Sequence, residues 1–116
     1  MKKTDFYSNA RTDIPGPLSG IRVLEATTTW AGPMCAAVLA DFGADVIKVE
    51  IPSGDISRAV PPHLPDTEIT CMHATVNRNK RALSLDVRTE QGRDIFLQLA
   101  ASSDLLVENF KVGTMA

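Results

Sequence analysis

The sequence has no apolar run long enough to cross a bilayer, so no membrane span is expected. Its N-terminus, MKKTDFYSNARTD, places two lysines ahead of polar residues with no apolar stretch behind them, which excludes a secretory signal there. Residues 1–16 read as a flexible lead-in. Cysteine is scarce: Cys35 and Cys71 share no close spacing, so a disulfide framework is excluded and two reduced thiols in a cytoplasmic protein are expected. Histidine is equally scarce. His63 and His73 have no partners at metal-ligand spacing, and no metal site is expected. Neither sign of charge dominates, since the formal net charge is -2, so nothing points to nucleic acid as a partner. The glycine fingerprint G-x-G-x-x-G is missing, which disfavours a simple NAD cradle. A P-loop, a nucleophile elbow and a zinc motif are missing too.

What is present has the form of one α/β domain. The chain has 116 residues, 44% hydrophobic and 22% charged, ordinary for a globular protein. GIRVLEAT (20–27) reads as a strand, after Pro15, Gly16 and Pro17 have stopped any regular structure. A helix opens at Gly32-Pro33, with Pro33 expected at its first position, and Gly43 stops it. Its residues are apolar nearly all round, the mark of a buried helix. ADVIKVEI (44–51) is a second strand. Residues 52–76 hold four prolines and little periodicity, so at most a short helical turn is expected, in EITCMHATV. RALSLDV (81–87) is a third strand. Thr89 caps an amphipathic helix over 90–102, and DLLVENF (104–110) is a fourth strand.

The pattern β-α-β, long loop, β-α-β predicts a layered α/β fold with a largely parallel sheet. Two crossover helices leave much of such a sheet uncovered, although parallel sheets usually have both faces buried. The sheet is therefore expected to be incomplete, the N-terminal part of a larger domain or a subunit covered by a partner.

Ligands in open α/β sheets sit outside the carboxyl ends of the strands. Trp30, Ala31 and Gly32 follow the first strand and suit either ligand contact or a tight turn around a buried tryptophan. In NRNKRALSLDVRTEQG, Arg78, Lys80 and Arg81 crowd one strand entrance and Arg88 follows its exit. Guanidinium and ammonium groups match phosphate, though a short charge run is more often a solvated loop. Asn109 and Phe110 end the fourth strand, where an amide and a ring suit binding a base or capping the strand. Glu50, Asp86 and Glu108 also lie near strand ends, and no catalytic constellation singles one out.

Three blocks, AGP…LADFGADVIKVE, NRNKR…LDVRT..G and D.LVENF..G, occur in order and at characteristic spacing across residues 17 to 116. Together they resemble the N-terminal part of the family III CoA-transferases. The resemblance implies a Rossmann-like, incomplete α/β large domain that binds coenzyme A. It implies a full-length protein of two protomers interlocked as rings, with an acyl-CoA and a carboxylic acid as substrates and no permanently bound cofactor. By this resemblance, Trp30 and Ala31 match the loop that contacts CoA, and Leu85, Asp86, Val87 and Arg88 match the strand end beside the adenosine. Asn109, Phe110 and Lys111 match a third segment bordering CoA. Arg88 is the cation expected to touch the ligand. One departure is that the formyl-CoA transferases of that family carry an arginine contact where this chain has Ile51-Pro52. The family nucleophile, an aspartate that takes the acyl group as a mixed anhydride, lies beyond residue 116, so these residues alone are expected to transfer nothing. Two alternatives stand beside the transferase: an α-methylacyl-CoA racemase of the same family, and a non-catalytic truncated module that needs a partner chain.

Overall fold

Alternation in RVLEA sets the first strand, β1 (Arg22–Ala26), with Val23 and Glu25 facing one way and Leu24 and Ala26 the other. The computed structural model describes residues 14–115, so most of the expected lead-in lies outside the described residues. Helix α1 (Ala31–Asp41) follows, then β2 (Asp45–Glu50). A 3₁₀ turn (Ile56–Arg58) and α2 (Cys71–Val76) lead to β3 (Arg81–Ser84), and α3 (Glu90–Ala101) leads to β4 (Leu105–Glu108). All pairings are parallel, in the order β3-β2-β1-β4.

The helices cover opposite faces. Ala36 and Ala40 of α1 pack with Val23, Ala44 and Val46 on one face. Phe96 of α3 packs with Leu24, Ala26 and Val49 on the other, with Leu83, Leu99 and Ala100 at its margin. Each large apolar side chain fully buried in this way contributes roughly 1.5–3 kcal/mol. The expected α/β class with a parallel sheet is what the chain forms.

Several boundaries differ from the sequence reading. Helix α1 begins two residues before Pro33, which occupies its third position. Proline is tolerated there because the first-turn N–H groups have no intrahelical partner. Gly32 makes the early start possible, since a Cβ on it would lie 2.5 Å from the Thr27 Cβ. Gly43, at φ +98°, closes the helix as expected. The outer face of α1 is not buried: Cys35, Val38 and Phe42 are exposed, and no described residue covers that stripe. β3 ends at Ser84 rather than 87. The Leu85 amide still donates to Glu50 O at 2.8 Å, but Asp86 then accepts the Arg88 amide at 3.1 Å and turns the chain. β4 is also shorter than expected, and its Leu105 and Leu106 are exposed at the sheet edge. Residues 52–76 hold the 3₁₀ turn as well as a six-residue helix, capped by Thr70. Thr89 caps α3 as the sequence suggests, its hydroxyl accepting from the Gly92 amide at 3.0 Å.

Gly92 locks the start of α3 onto the turn after β3. A Cβ there would lie 2.0 Å from the Asp86 carbonyl oxygen. Gly92→Ala should therefore lower stability by roughly 1–3 kcal/mol through overpacking, although alanine is better in a helix by about 1 kcal/mol. The exposed neighbour Gln91→Ala should be neutral or slightly stabilising. Denaturant midpoints of the two variants check this.

Candidate functional site

Because all four strands run parallel, the residues after each strand gather at one edge of the sheet. Thr27–Trp30 follow β1, Ile51–Asp55 follow β2, Leu85–Arg88 follow β3 and Asn109–Lys111 follow β4. The strand order turns back at β1, which has β2 on one side and β4 on the other. Such a switch point is where α/β sheets open a crevice. Asn109 spans it: its Oδ1 accepts from the Thr28 amide and its Nδ2 donates to Thr28 O, both at 3.0 Å.

The loops at this edge are held from below by buried charge. Glu25 and Lys48 are register partners on β1 and β2, and their side chains are 0% and 1% exposed. Lys48 Nζ lies 3.0 Å from Glu25 Oε1, 3.0 Å from Thr27 O and 3.3 Å from Asp55 Oδ2. Lys80, 2% exposed, places its Nζ 2.7 Å from Glu25 Oε2, 2.7 Å from Pro33 O and 3.3 Å from Asn77 Oδ1. Each ammonium thus donates two hydrogen bonds and lies beside a third, charged oxygen, Asp55 Oδ2 for Lys48 and Glu25 Oε2 for Lys80, which accepts no well-directed hydrogen bond. Burial pulls Lys80 below the ordinary lysine range, against the opposing pull of Glu25. Asp55 also accepts from the Ser57 amide at 2.8 Å and the Thr29 amide at 3.4 Å, holding Thr29 at φ +73°, a conformation costly for a β-branched residue. Burial pushes the Asp55 carboxyl up, but Ser57 and Lys48 outweigh it and the group sits below its ordinary value.

Glu50 belongs to the same assembly. It takes Arg58 Nε at 2.8 Å and Nη2 at 3.0 Å, and the Asp55 amide at 3.1 Å. Burial raises its carboxyl, while Arg58, the Asp55 amide and Lys48 bring it below its ordinary value. Beside it, His73 Nδ1 faces the Ser57 hydroxyl and Asn77 Nδ2, each at 3.0 Å. With two donors pointing at it, Nδ1 is the acceptor and the ring proton sits on Nε2. Burial and the nearby Arg58 pull His73 below its usual value, against Glu50 and Asp55.

The remaining cations of the basic cluster pair at the other end of β3. Arg78 binds Asp41 and Arg81 binds Asp45, at 2.5 and 2.6 Å. The crowding of charge in NRNKR thus has internal partners: one buried lysine and two surface ion pairs.

Among the cavities at the carboxyl edge, two share Val49, Ile51 and Phe110. One, of about 270 Å³, lies between α3 and the ends of β1, β2 and β3, and is lined by Leu85, Val87, Phe96 and Arg93 among others. The second, of about 480 Å³, is bordered by Thr27–Thr29 and Ile51–Ile56 segments. Of the residues singled out in the sequence, Leu85, Val87 and Phe110 line the first cavity. Trp30, Ala31, Asp86, Arg88, Asn109 and Lys111 stand at the same edge but line neither. Trp30 is half-exposed at the start of α1. Arg88, 78% exposed, is bound to Asp86 through Nε and Nη2, both at 2.8 Å, and holds that carboxyl down at about 2. Sequence reading missed Lys48, Glu25, Asp55 and Arg93. A lysine and a glutamate placed at matching offsets inside two apolar strands was the signal for the first pair.

Comparison with known proteins agrees with this architecture. Residues 18–116 match the model of CoA-transferase family III, and the chain belongs to that family. It is 48% identical over 103 residues to a succinyl-CoA:mesaconate CoA-transferase of Haloarcula hispanica, covering 86% of this chain and 26% of that protein. A formyl-CoA:oxalate CoA-transferase of Streptomyces avermitilis is 43% identical over 98 residues, 84% of this chain and 24% of that one. Among solved structures, a CAIB/BAIF family protein from Brucella suis superposes with a TM-score of 0.82 at 41% identity, covering 88% of this chain and 28% of that chain. The chain spans about a quarter of the length of these relatives. No helix among the described residues is long and apolar enough to cross a membrane.

Two outcomes follow from the buried charges. Lys48→Met leaves Glu25 and Asp55 without their shared cation and should cost about 3–5 kcal/mol, whereas Arg88→Ala, at the surface, should leave the denaturation midpoint unchanged. Stability should also fall with acid. Glu50 and Asp55 titrate lower in the folded chain than unfolded, so their contribution is complete above the ordinary carboxyl range and is lost as pH falls through the folded values. His73 is lowered too, so the unfolded chain takes its proton first and stability begins to decline below about pH 6.5. His73→Gln should remove the decline that begins below about pH 6.5 and keep the one that begins in the ordinary carboxyl range, about pH 4.5. Midpoints measured from pH 8 to 3 check both steps.

Proposed function

We propose that residues 17–116 form the N-terminal part of the coenzyme A-binding large domain of a CoA-transferase, which moves CoA between an acyl-CoA and a carboxylic acid. The observation that carries this reading is the pair of cavities meeting at Phe110, beside the switch point between the neighbouring strands β1 and β4. An apolar cavity with Phe96, Phe110 and aliphatic walls suits a flat base, held by dispersion and ring stacking. Leu85 and Val87 form one wall for the adenosine part. Trp30 and Ala31, Asp86 and Arg88, and Asn109 and Lys111 border the rest of the ligand from the same edge. Asn109 acts chiefly by fixing the Thr28 backbone.

These residues alone transfer no acyl group. The carboxylates at this edge are already engaged: Glu25 and Asp55 in buried ion pairs, Glu50 with the half-exposed Arg58, Asp86 with Arg88, and Glu108 with the Phe110 amide at 2.9 Å. A nucleophilic aspartate supplied by further chain is needed for the anhydride step. CoA is a substrate rather than a resident cofactor. The open edge at Leu105 and Leu106 and the bare stripe at Val38 and Phe42 favour a full-length homodimer with interlocked protomers. The free cysteines suit the cytoplasm. The transferase reading is preferred over a racemase because the relatives named above are transferases.

Titration of the full-length protein with CoA tests the reading. Phe110→Ala should weaken binding by roughly 1–3 kcal/mol, the scale of a base stacked on an aromatic ring. Asn109→Ala should also weaken it. Unchanged affinity in both variants would remove this edge from the ligand site.

A further inference from the structure

We propose that Arg93, on α3, supplies the cationic contact to a phosphate of the nucleotide bound in the 270 Å³ cavity. The inference rests on the coenzyme A reading and adds a residue to it. Arg93 is the one charged side chain among the residues lining this cavity, which are otherwise apolar apart from Thr114. It stands one turn along α3 from Thr89, and three residues before Phe96, so ring and guanidinium face the same region of the helix surface. The helix start that carries it is fixed by Gly92 against the Asp86 carbonyl and by the Thr89 cap.

Arg93 also differs from the other arginines at this edge in that no carboxylate of the described residues pairs with it. Arg58 is held by Glu50 and Arg88 by Asp86, in each case through two nitrogens. A phosphate that takes either of them must displace or share a carboxylate already in place. Among the described residues, no ion pair engages Arg93. Arg93 is exposed, and a phosphate beside an apolar cavity gains a bidentate partner there without breaking an ion pair among the described residues. A base in the cavity and a phosphate at its rim together define the ligand class: a phosphorylated nucleoside. In coenzyme A the phosphate is either the 3′-phosphate on the ribose or the 5′-pyrophosphate.

The test is calorimetric titration of the full-length protein with CoA, 3′-dephospho-CoA and adenosine, using wild type, Arg93→Gln, Arg93→Lys and Arg88→Gln. Arg93→Gln should weaken CoA about tenfold or more and leave adenosine affinity unchanged, with a smaller salt dependence than wild type. Arg93→Lys should recover part of the loss, and Arg88→Gln should lose less than Arg93→Gln. A loss seen with CoA but not with 3′-dephospho-CoA assigns Arg93 to the 3′-phosphate; equal losses assign it to the pyrophosphate. If wild type binds CoA and Arg93→Gln binds it equally well, or loses adenosine to the same extent, the assignment to Arg93 is overturned while the coenzyme A reading stands. If wild type binds no CoA, both fail together. Arg93 is exposed, so circular dichroism of the variants should match wild type.

Discussion

The fold depends on keeping two ammonium groups and two carboxylates out of water beneath the carboxyl edge of the sheet. Each ion removed from water costs several kcal/mol, and only close pairing with filled hydrogen-bond sites offsets that cost. Lys48 and Lys80 make the pairing by different routes, while Glu25 Oε2 and Asp55 Oδ2 are held by charge without a well-directed hydrogen bond. Lys48 ties Glu25 of β1 to Thr27 just beyond that strand and to Asp55 in the loop after β2. Lys80 ties the same Glu25 to the Pro33 carbonyl in α1 and to Asn77 at the end of α2. One carboxylate therefore sits between two cations, and the elements on the α1 face are joined through it. An apolar core of the same volume would fill the space, but it would not dictate where the loop ends must lie.

That constraint reaches the surface through Asp55 and Asn109. Asp55 holds the Thr29 amide and caps the 3₁₀ turn, and Asn109 closes on Thr28 from the β4 side. The loop after β1 is thus anchored from both neighbouring strands, with Thr29 kept in a left-handed conformation that the surroundings enforce. The 480 Å³ cavity is bounded by these anchored segments rather than by free loops, so its walls are set before a ligand binds. On the opposite face, α3 is fixed by its cap and by Gly92, which places Phe96 and Arg93 beside the same cavity.

Much of this was legible in the sequence, and the reasons differ from part to part. The strands and the class followed from period-two apolar runs bounded by glycine and proline, and Thr89 was readable as a cap from its place before Glu90. Pro33 misled by two residues, because the close contact of Gly32 with Thr27 is a tertiary fact that no local rule contains. Helix α1 was expected to be buried on all sides, but apolar composition does not say what will cover a face. The basic cluster was readable as charge, not as partnership. Arg78 and Arg81 find Asp41 and Asp45, 37 and 36 residues away in the chain, and that pairing exists only once β3 lies beside β2. Glu25 and Lys48 were hidden inside runs scored as apolar. Among the site candidates, the strand-end positions followed from topology alone, whereas the separation of Leu85, Val87 and Phe110 from the six that line neither cavity required side-chain geometry.

The most direct measurement is a crystal structure of the full-length protein with coenzyme A bound. The account predicts the adenine ring between the Leu85–Val87 segment and Phe110, with Lys48, Glu25, Asp55 and Lys80 still dry and in mutual contact beneath it. A base lodged elsewhere with this cavity empty, or water among the four buried charges, would contradict it.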